Sequence, residues 1–310
     1  MHHKPYTGWH DGLKLIVEQG HWEINERTGK QCRAIWGLDT SIDVGAGIFP
    51  LETTRACGKR LWMTAIKEII GYIRGYRNSQ LFDDMGCPTW DANANKNEAW
   101  LNNPLRKGHG DMGQAYLFRP RGYVPMILRN EDDPMEVKAA YEGEGKDMVR
   151  HIYESLKQGK DDRGLIATAW NVDSFSESCL RPCMHTWAFS LINGTLNART
   201  FQRSNDWLLG GVFNEVQSYF LLAIMAHITN QKPGVVRHHS DNCHIYEDQW
   251  EILMEHKQHE REPLPAPTLW ISPEIDSLEK LETFDMDKFE DYFKVEGYQG
   301  HPSIMYPMTA

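Results

Sequence analysis

The chain has 310 residues, enough for one large domain or two ordinary ones, and its 41% hydrophobic, 11% aromatic and 25% charged residues fit a globular protein. A formal net charge of -10 without a basic run argues against a nucleic-acid duplex or an anionic membrane as main partner, although a few arginines can still hold a small phosphate. No apolar stretch reaches the roughly 18 residues of a membrane span, and Met1 to Gly20 lacks a signal-peptide core, so a cytoplasmic protein is expected.

The first strong element in chain order is Leu61 to Arg74. Leu61, Ala65, Ile66, Ile69, Ile70 and Ile73 form a helical stripe that should be buried. Glu68 lies among them. A carboxylate near a buried face is costly unless paired or used, so Glu68 is a candidate proton handler; the alternative is a place on the wet side beside Lys67. Asp91 to Gly113, polar and rich in Asn and Gly, reads as a loop. Leu165 to Trp170 is a short strand candidate. Thr186 to Ile192 and Leu196 to Phe201 flank Asn193-Gly194, a strong hairpin signal. Val216 to Ile228 is apolar on nearly all sides and predicts an enclosed helix; Tyr246 to His259 predicts a more amphipathic one. Helices and strands mix without the alternation of a parallel sheet, so the class is α+β. No Pro/Gly/Ser linker divides residues 1–310, so one domain is expected.

The chemistry-bearing residues gather in the second half. Six cysteines (Cys32, Cys57, Cys87, Cys179, Cys183 and Cys243) are expected to be free thiols in a cytosolic chain. Cys179 and Cys183 with His185, His238, His239, Cys243 and His244 match no standard zinc spacing, so no metal is expected. Cys183 follows Pro182 at the entrance to the hairpin. A thiol needs a nearby cation to react as a thiolate, and Arg203 can supply one if the hairpin folds back; the alternative is a buried structural cysteine. Gln202-Arg203-Ser204-Asn205-Asp206 reads as a short loop whose donors suit a phosphate, or as a polar turn. The amide of Asn214 offers a donor and an acceptor that match O4 and N3–H of uracil, whereas cytosine suits a carboxylate better; alternatively Asn214 and Gln217 form a capping box. His244 and Tyr246, two apart on a strand, point to one side and could bind a ribose hydroxyl, unless they are merely polar residues on an exposed face.

In this order these pieces resemble the thymidylate synthase family, from about Asn25 to Ala310. The resemblance includes Arg27-Thr28-Gly29, Phe49-Pro50-Leu51, Thr53-Thr54, Glu68, Trp90-Asp91-Ala92-Asn93, Gly110-Asp111-x-Gly113 with Tyr116, and Asp162-Arg163 before Ala169-Trp170-Asn171. It continues through Pro182-Cys183, Gln202-Arg203-Ser204-x-Asp206, Leu209-Gly210, Phe213-Asn214, Lys232-Pro233-Gly234, His244-x-Tyr246, Arg261-Glu262-Pro263 and the tail Glu296-Gly297-Tyr298 with His301-Pro302.

The resemblance implies a large mixed sheet at a homodimer interface, covered by helices on its other face. It implies that Cys183 adds to C6 of a pyrimidine deoxynucleotide, so that C5 takes the methylene of 5,10-methylenetetrahydrofolate. Tyr116 would help remove the C5 proton through water, and Glu68 would order water at the base carbonyl. Arg27, Arg203 and Ser204 would hold the phosphate with Arg163 of the partner subunit. Asn214 would read the base, and His244 and Tyr246 the sugar. Trp90, Asp206, Gly210 and Ala310 fall on the folate side, under a closing tail. Met184 stands where the family usually has His, with His185 one place late. Gly164 replaces a second arginine, Ser240-Asp241-Asn242 replaces Gly-Gly-Asp, and Ala188 replaces a glutamine. Reductive methylation of dUMP to dTMP is the expected reaction. The alternatives are a phage-type hydroxymethylase acting on dUMP or dCMP in a host cytoplasm, methylation of dCMP, and a silent homologue that only binds.

Overall fold

Asn193 and Gly194 adopt left-handed φ values of 50° and 70°, the twist a two-residue hairpin turn requires. They join two strands of a six-stranded sheet. In chain order its strands are β1 (His21–Ile24), β2 (Gln31–Asp43), β3 (Ile166–Thr168), β4 (Met184–Ile192), β5 (Thr195–Asp206) and β6 (Lys232–Tyr246). The spatial order is β1-β2-β6-β5-β4-β3, antiparallel throughout except for the parallel central pair β5 and β6. The α+β expectation meets a mixed sheet of this kind. The computed structural model describes residues 4–26, 28–118, 128–129, 137–138 and 147–308. Arg27 and Ala310 lie outside the described residues.

One face of the sheet is covered by helices α1 (Gly8–Gln19) and α3 (Val212–Ile228); α2 (Lys59–Ile73) packs on α3, and α4 (Glu247–His256) follows β6. No side chain caps the start of α2. A missing cap costs about 1 kcal/mol. Full burial of Ile66, Ile69, Ile70 and Ile73 contributes about 1.5–3 kcal/mol each, so packing decides that this helix forms. Glu68 is buried with them, not placed on a wet face.

The run Trp207–Ile228 spans 22 residues and holds an 18-residue window of mean hydropathy 1.3, long and apolar enough to cross a membrane by composition, contrary to the expectation that no stretch reaches that length. Asn214, Glu215, Gln217 and Ser218 interrupt it, and most of it is buried in the core.

The other sheet face carries Arg199 on β5, Asp39 on β2, and His239 and Asp241 on β6. Arg199 pairs with Asp39 at 2.8 Å, and His239 lies 3.2 Å from Asp39 and 3.0 Å from Asp241.

Three expectations need correction. Asp91 to Gly113 is not a plain loop: it holds the short helices Asp91–Asn95 and Glu98–Leu101, the second capped by Asn97, whose side chain accepts from Ala99 N at 3.2 Å. Asparagine, a loop signal by composition, acts there as a helix start. Arg203 to Asp206 are not in a loop either, because β5 continues to Asp206. Leu165 to Trp170 shrinks to the three residues of β3.

Candidate active site

Cys183 stands immediately before β4, where the register slips between Met184 and Thr186. A bulge of this kind re-aims side chains next to a site. The hairpin brings β5 back alongside, and Arg203 N donates to the Cys183 carbonyl at 3.0 Å. The Arg203 guanidinium donates to the carbonyls of Pro182 and Arg181 at 3.0 and 2.9 Å and reaches Cys183 Sγ at 3.5 Å. The six cysteines are free thiols; Cys183 is partly exposed and the other five are buried. A half-open thiol beside a fixed cation is the setting of a reactive cysteine, not of a structural one.

Beneath Cys183 lies Tyr116, whose hydroxyl accepts from the backbone N–H of Cys183 at 2.7 Å and of Met184 at 3.3 Å. Burial, then the nearby Cys183 and Glu68, raise its pKa well above the ordinary value, so the hydroxyl stays protonated. Its ring stacks on Tyr72 at 4.6 Å and meets Trp90 edge-on at 5.4 Å. Both oxygens of Glu68 accept hydrogen bonds, one from the Thr89 hydroxyl and one from Gln217 Nε2 at 2.7 Å. Burial raises the pKa of Glu68, and these two donors work against that.

Asn214 is the third residue of α3 and does not cap it; Asp206 caps the preceding turn, accepting from Leu209 N at 3.3 Å. The Asn214 side chain instead accepts from Gln202 Nε2 at 2.9 Å and donates to Gln217 Oε1 at 3.0 Å. Gly210 lies against this amide: a Cβ there would sit 3.4 Å from Asn214 Oδ1 and 3.2 Å from Asn205 Oδ1. His244 and Tyr246 share one side of β6 with ring centroids 5.0 Å apart, both buried and not on an exposed face, and His244 Nδ1 lies 2.7 Å from Asn242 Oδ1. Ser204 pairs with Asn242, and Asp206 with His244, across the parallel ladder.

The departures from the family pattern acquire partners. Met184 is buried, with Sδ 3.7 Å from Ser218 Oγ. His185 occupies the bulge and turns to Thr186 Oγ1 at 2.8 Å and to the Trp170 ring, so it does not stand in for a histidine at 184. Ser240 Oγ meets His238 Nε2 and Asn205 Nδ2, each at 3.1 Å. Gly164 N donates to Asp162.

Arg163 is not brought to Cys183 of its own chain. Its backbone is held in a left-handed turn by Asp161, which also accepts from Leu191 N near the far end of β4. That end is roughly 25 Å from Cys183 at about 3.3 Å per strand residue.

The sequence reading missed the residues that seat the C-terminal tail. Arg261 donates to the carbonyls of Thr54 and Pro302, Arg55 to those of Leu208 and Ile304, and Gln258 bridges Thr54 and Tyr306. Buried Gln249 donates to Asp206 at 2.8 Å and to the Pro307 carbonyl at 3.2 Å. Burial pushes the Asp206 carboxyl up to about 6. Arg261 stood in the quoted motif Arg261-Glu262-Pro263 without a role, and Arg55 and Gln249 were signalled only as polar residues beside Thr53-Thr54 and His244-x-Tyr246.

Among the described residues, no cluster of three or more His, Cys, Asp or Glu could hold a metal ion. Cavities of about 420, 640 and 410 Å³ lie at the N-terminal segment, beside Asp91 and beside Cys57; none of the three is lined by Cys183.

Comparison with known proteins agrees with this geometry. The thymidylate synthase family model matches residues 7–310. A thymidylate synthase of Shewanella loihica is 48% identical over 295 residues, 95% of this chain and 96% of that protein. One of Aliivibrio fischeri is 48% identical over 300 residues, covering 96% and 98%. One of Histophilus somni is 47% identical over 294 residues, covering 95% and 96%. With a match this long and this close, running through a free thiol under an arginine, the chain belongs to the thymidylate synthase family.

Proposed function

We propose that this chain, acting as one catalytic domain, converts dUMP to dTMP with 5,10-methylenetetrahydrofolate as donor of both methylene and hydride. The Cys183 thiolate adds to C6 and leaves C5 electron-rich. C5 bonds the methylene as its bond to N10 opens, then loses its proton with help from Tyr116 through water as the bond to N5 breaks, and the freed tetrahydrofolate gives a hydride to the exocyclic methylene left on the ring. Dihydrofolate leaves and Cys183 is eliminated. Arg27, Arg203 and Ser204 take the phosphate, Asn214 the base, and His244 and Tyr246 the sugar. Glu68 orders water at the base carbonyl, and Trp90, Asp206, Gly210 and the tail ending at Ala310 serve the folate.

The observation that carries this reading is the Cys183 thiol 3.5 Å from the Arg203 guanidinium, above Tyr116 and beside the Asn214 network. Asn214, not a carboxylate, favours uracil over cytosine. We further propose a two-fold homodimer through the sheet face bearing Asp39, Arg199 and His239. The length of β4 between Cys183 and Arg163 supports it, since only a partner's Arg163 could reach the phosphate.

The test is incubation with dUMP or dCMP and methylenetetrahydrofolate. Expected is dTMP by mass with dihydrofolate by absorbance, from dUMP in preference to dCMP, and no turnover by Cys183→Ser. A hydroxymethyl product with tetrahydrofolate, or full activity of Cys183→Ser, would overturn it.

A further inference from the structure

Four side chains form one directed line of hydrogen bonds. Gln202 Nε2 donates to the Ser204 carbonyl at 2.8 Å and to Asn214 Oδ1 at 2.9 Å. Asn214 Nδ2 donates to Gln217 Oε1 at 3.0 Å, and Gln217 Nε2 donates to Glu68 Oε2 at 2.7 Å. Both ends of the line are one-sided. A backbone carbonyl can only accept, and both Glu68 oxygens already accept, the second from Thr89. With the ends fixed, each amide between them has one allowed orientation. Turning Asn214 over would set Nδ2 against Gln202 Nε2 and Oδ1 against Gln217 Oε1, two like contacts in place of two bonds. Gln202 and Gln217 are 2% and 1% exposed, so water cannot repair the mismatch.

The consequence concerns the base. A free asparagine amide can read uracil in one orientation and cytosine in the other. After its two protein bonds, Asn214 keeps one Nδ2–H and one Oδ1 lone pair, the pair that O4 and N3–H of uracil need. We propose that Gln217, which reaches the base only through Asn214, is the positioning residue that locks Asn214 in its uracil-reading orientation and so sets selection against cytosine. This inference rests on the dUMP reading above.

The experiment measures dissociation constants of dUMP and dCMP by calorimetry for the wild type, Gln217→Met, Gln217→Leu and Glu68→Gln, with thermal unfolding as the check of folding. The methionine and leucine variants remove one of the two contacts that orient Asn214, leaving that from Gln202, and keep the bulk. Glu68→Gln keeps Gln217 and weakens the one-way end without removing it, because Gln217 Nε2 also donates to the Ala65 carbonyl at 3.4 Å. The Gln217 variants should lower the dUMP-to-dCMP affinity ratio by about tenfold, and Glu68→Gln by less. A role confined to packing would weaken both nucleotides equally and leave the ratio unmoved. An unchanged ratio in folded Gln217→Met would overturn the inference. A wild-type preference for dCMP would instead overturn the dUMP reading beneath it.

Discussion

The Arg203 guanidinium serves three neighbours, the carbonyls of Arg181 and Pro182 and the sulfur of Cys183. The two carbonyls hold the planar fork still, so the donor facing the thiol is aimed and not merely close. Lysine has a point charge on a flexible stem and cannot be braced in this way. Arg203→Lys should therefore slow iodoacetamide alkylation of Cys183 at pH 7 by roughly tenfold, with the five buried thiols as unreactive internal controls. Equal rates in both proteins would show that Arg203 does not tune the thiol. At this scale the sequence was legible in placement where a turn signal fixed it, since the hairpin at Asn193-Gly194 brings Arg203 beside Cys183. Gln217 was read only as a capping partner of Asn214, and Gln249 not at all, since a glutamine gains a role only from the partners that folding supplies.

At the scale of elements, α3 covers two buried titratable groups of opposite tendency, its own Glu215 toward β2 and His238 on β6. Glu215 is fully buried beside the Thr40 and Tyr6 hydroxyls; burial, with a smaller contribution from Glu52, pushes its carboxyl up to about 8. His238, flanked by Thr200, Ser218 and Ser240, is held down at about 3 by burial. Between 4.5 and 8 the fold keeps a proton on Glu215 that the unfolded chain releases, so its contribution to stability falls as pH rises. For His238 the unfolded chain takes up the extra proton, so stability falls as pH drops below 6.5. Above 6.5 the histidine contribution is flat, and Glu215 alone of the pair tilts the curve. Glu215→Gln should gain on the order of 2 kcal/mol over wild type between pH 6.5 and 8 in chemical denaturation. Parallel curves for the two proteins would contradict the assignment. His238 also helps to explain why β6 was read from the sequence only at its end, His244 to Tyr246. Its inward positions include His238 and Ser240, so the strand shows no alternation of apolar with polar residues, whereas Asn193-Gly194 announced the neighbouring hairpin through turn geometry alone.

At the scale of the whole molecule, Cys183 and Arg163 sit near opposite ends of one long strand, and a two-fold partner would bring them together. Mixing Arg163→Ala with Cys183→Ala subunits should recover about a quarter of wild-type activity, since random pairing gives half heterodimers, each with one intact site. No recovery in a mixture shown to exchange subunits would remove Arg163 from the partner's site. The tail has its own lesson. Arg261, Arg55 and Gln249 grasp it by main-chain carbonyls, at Pro302, Ile304 and Pro307, while Met305 and Met308 turn outward with more than four-fifths of their surface exposed. The body thus recognises mainly a path, and reads side chains only at the buried Ile304 and Tyr306. Substitutions along the outward side of this segment are free to accumulate, while a deletion that shifts the carbonyls out of step with their donors is not.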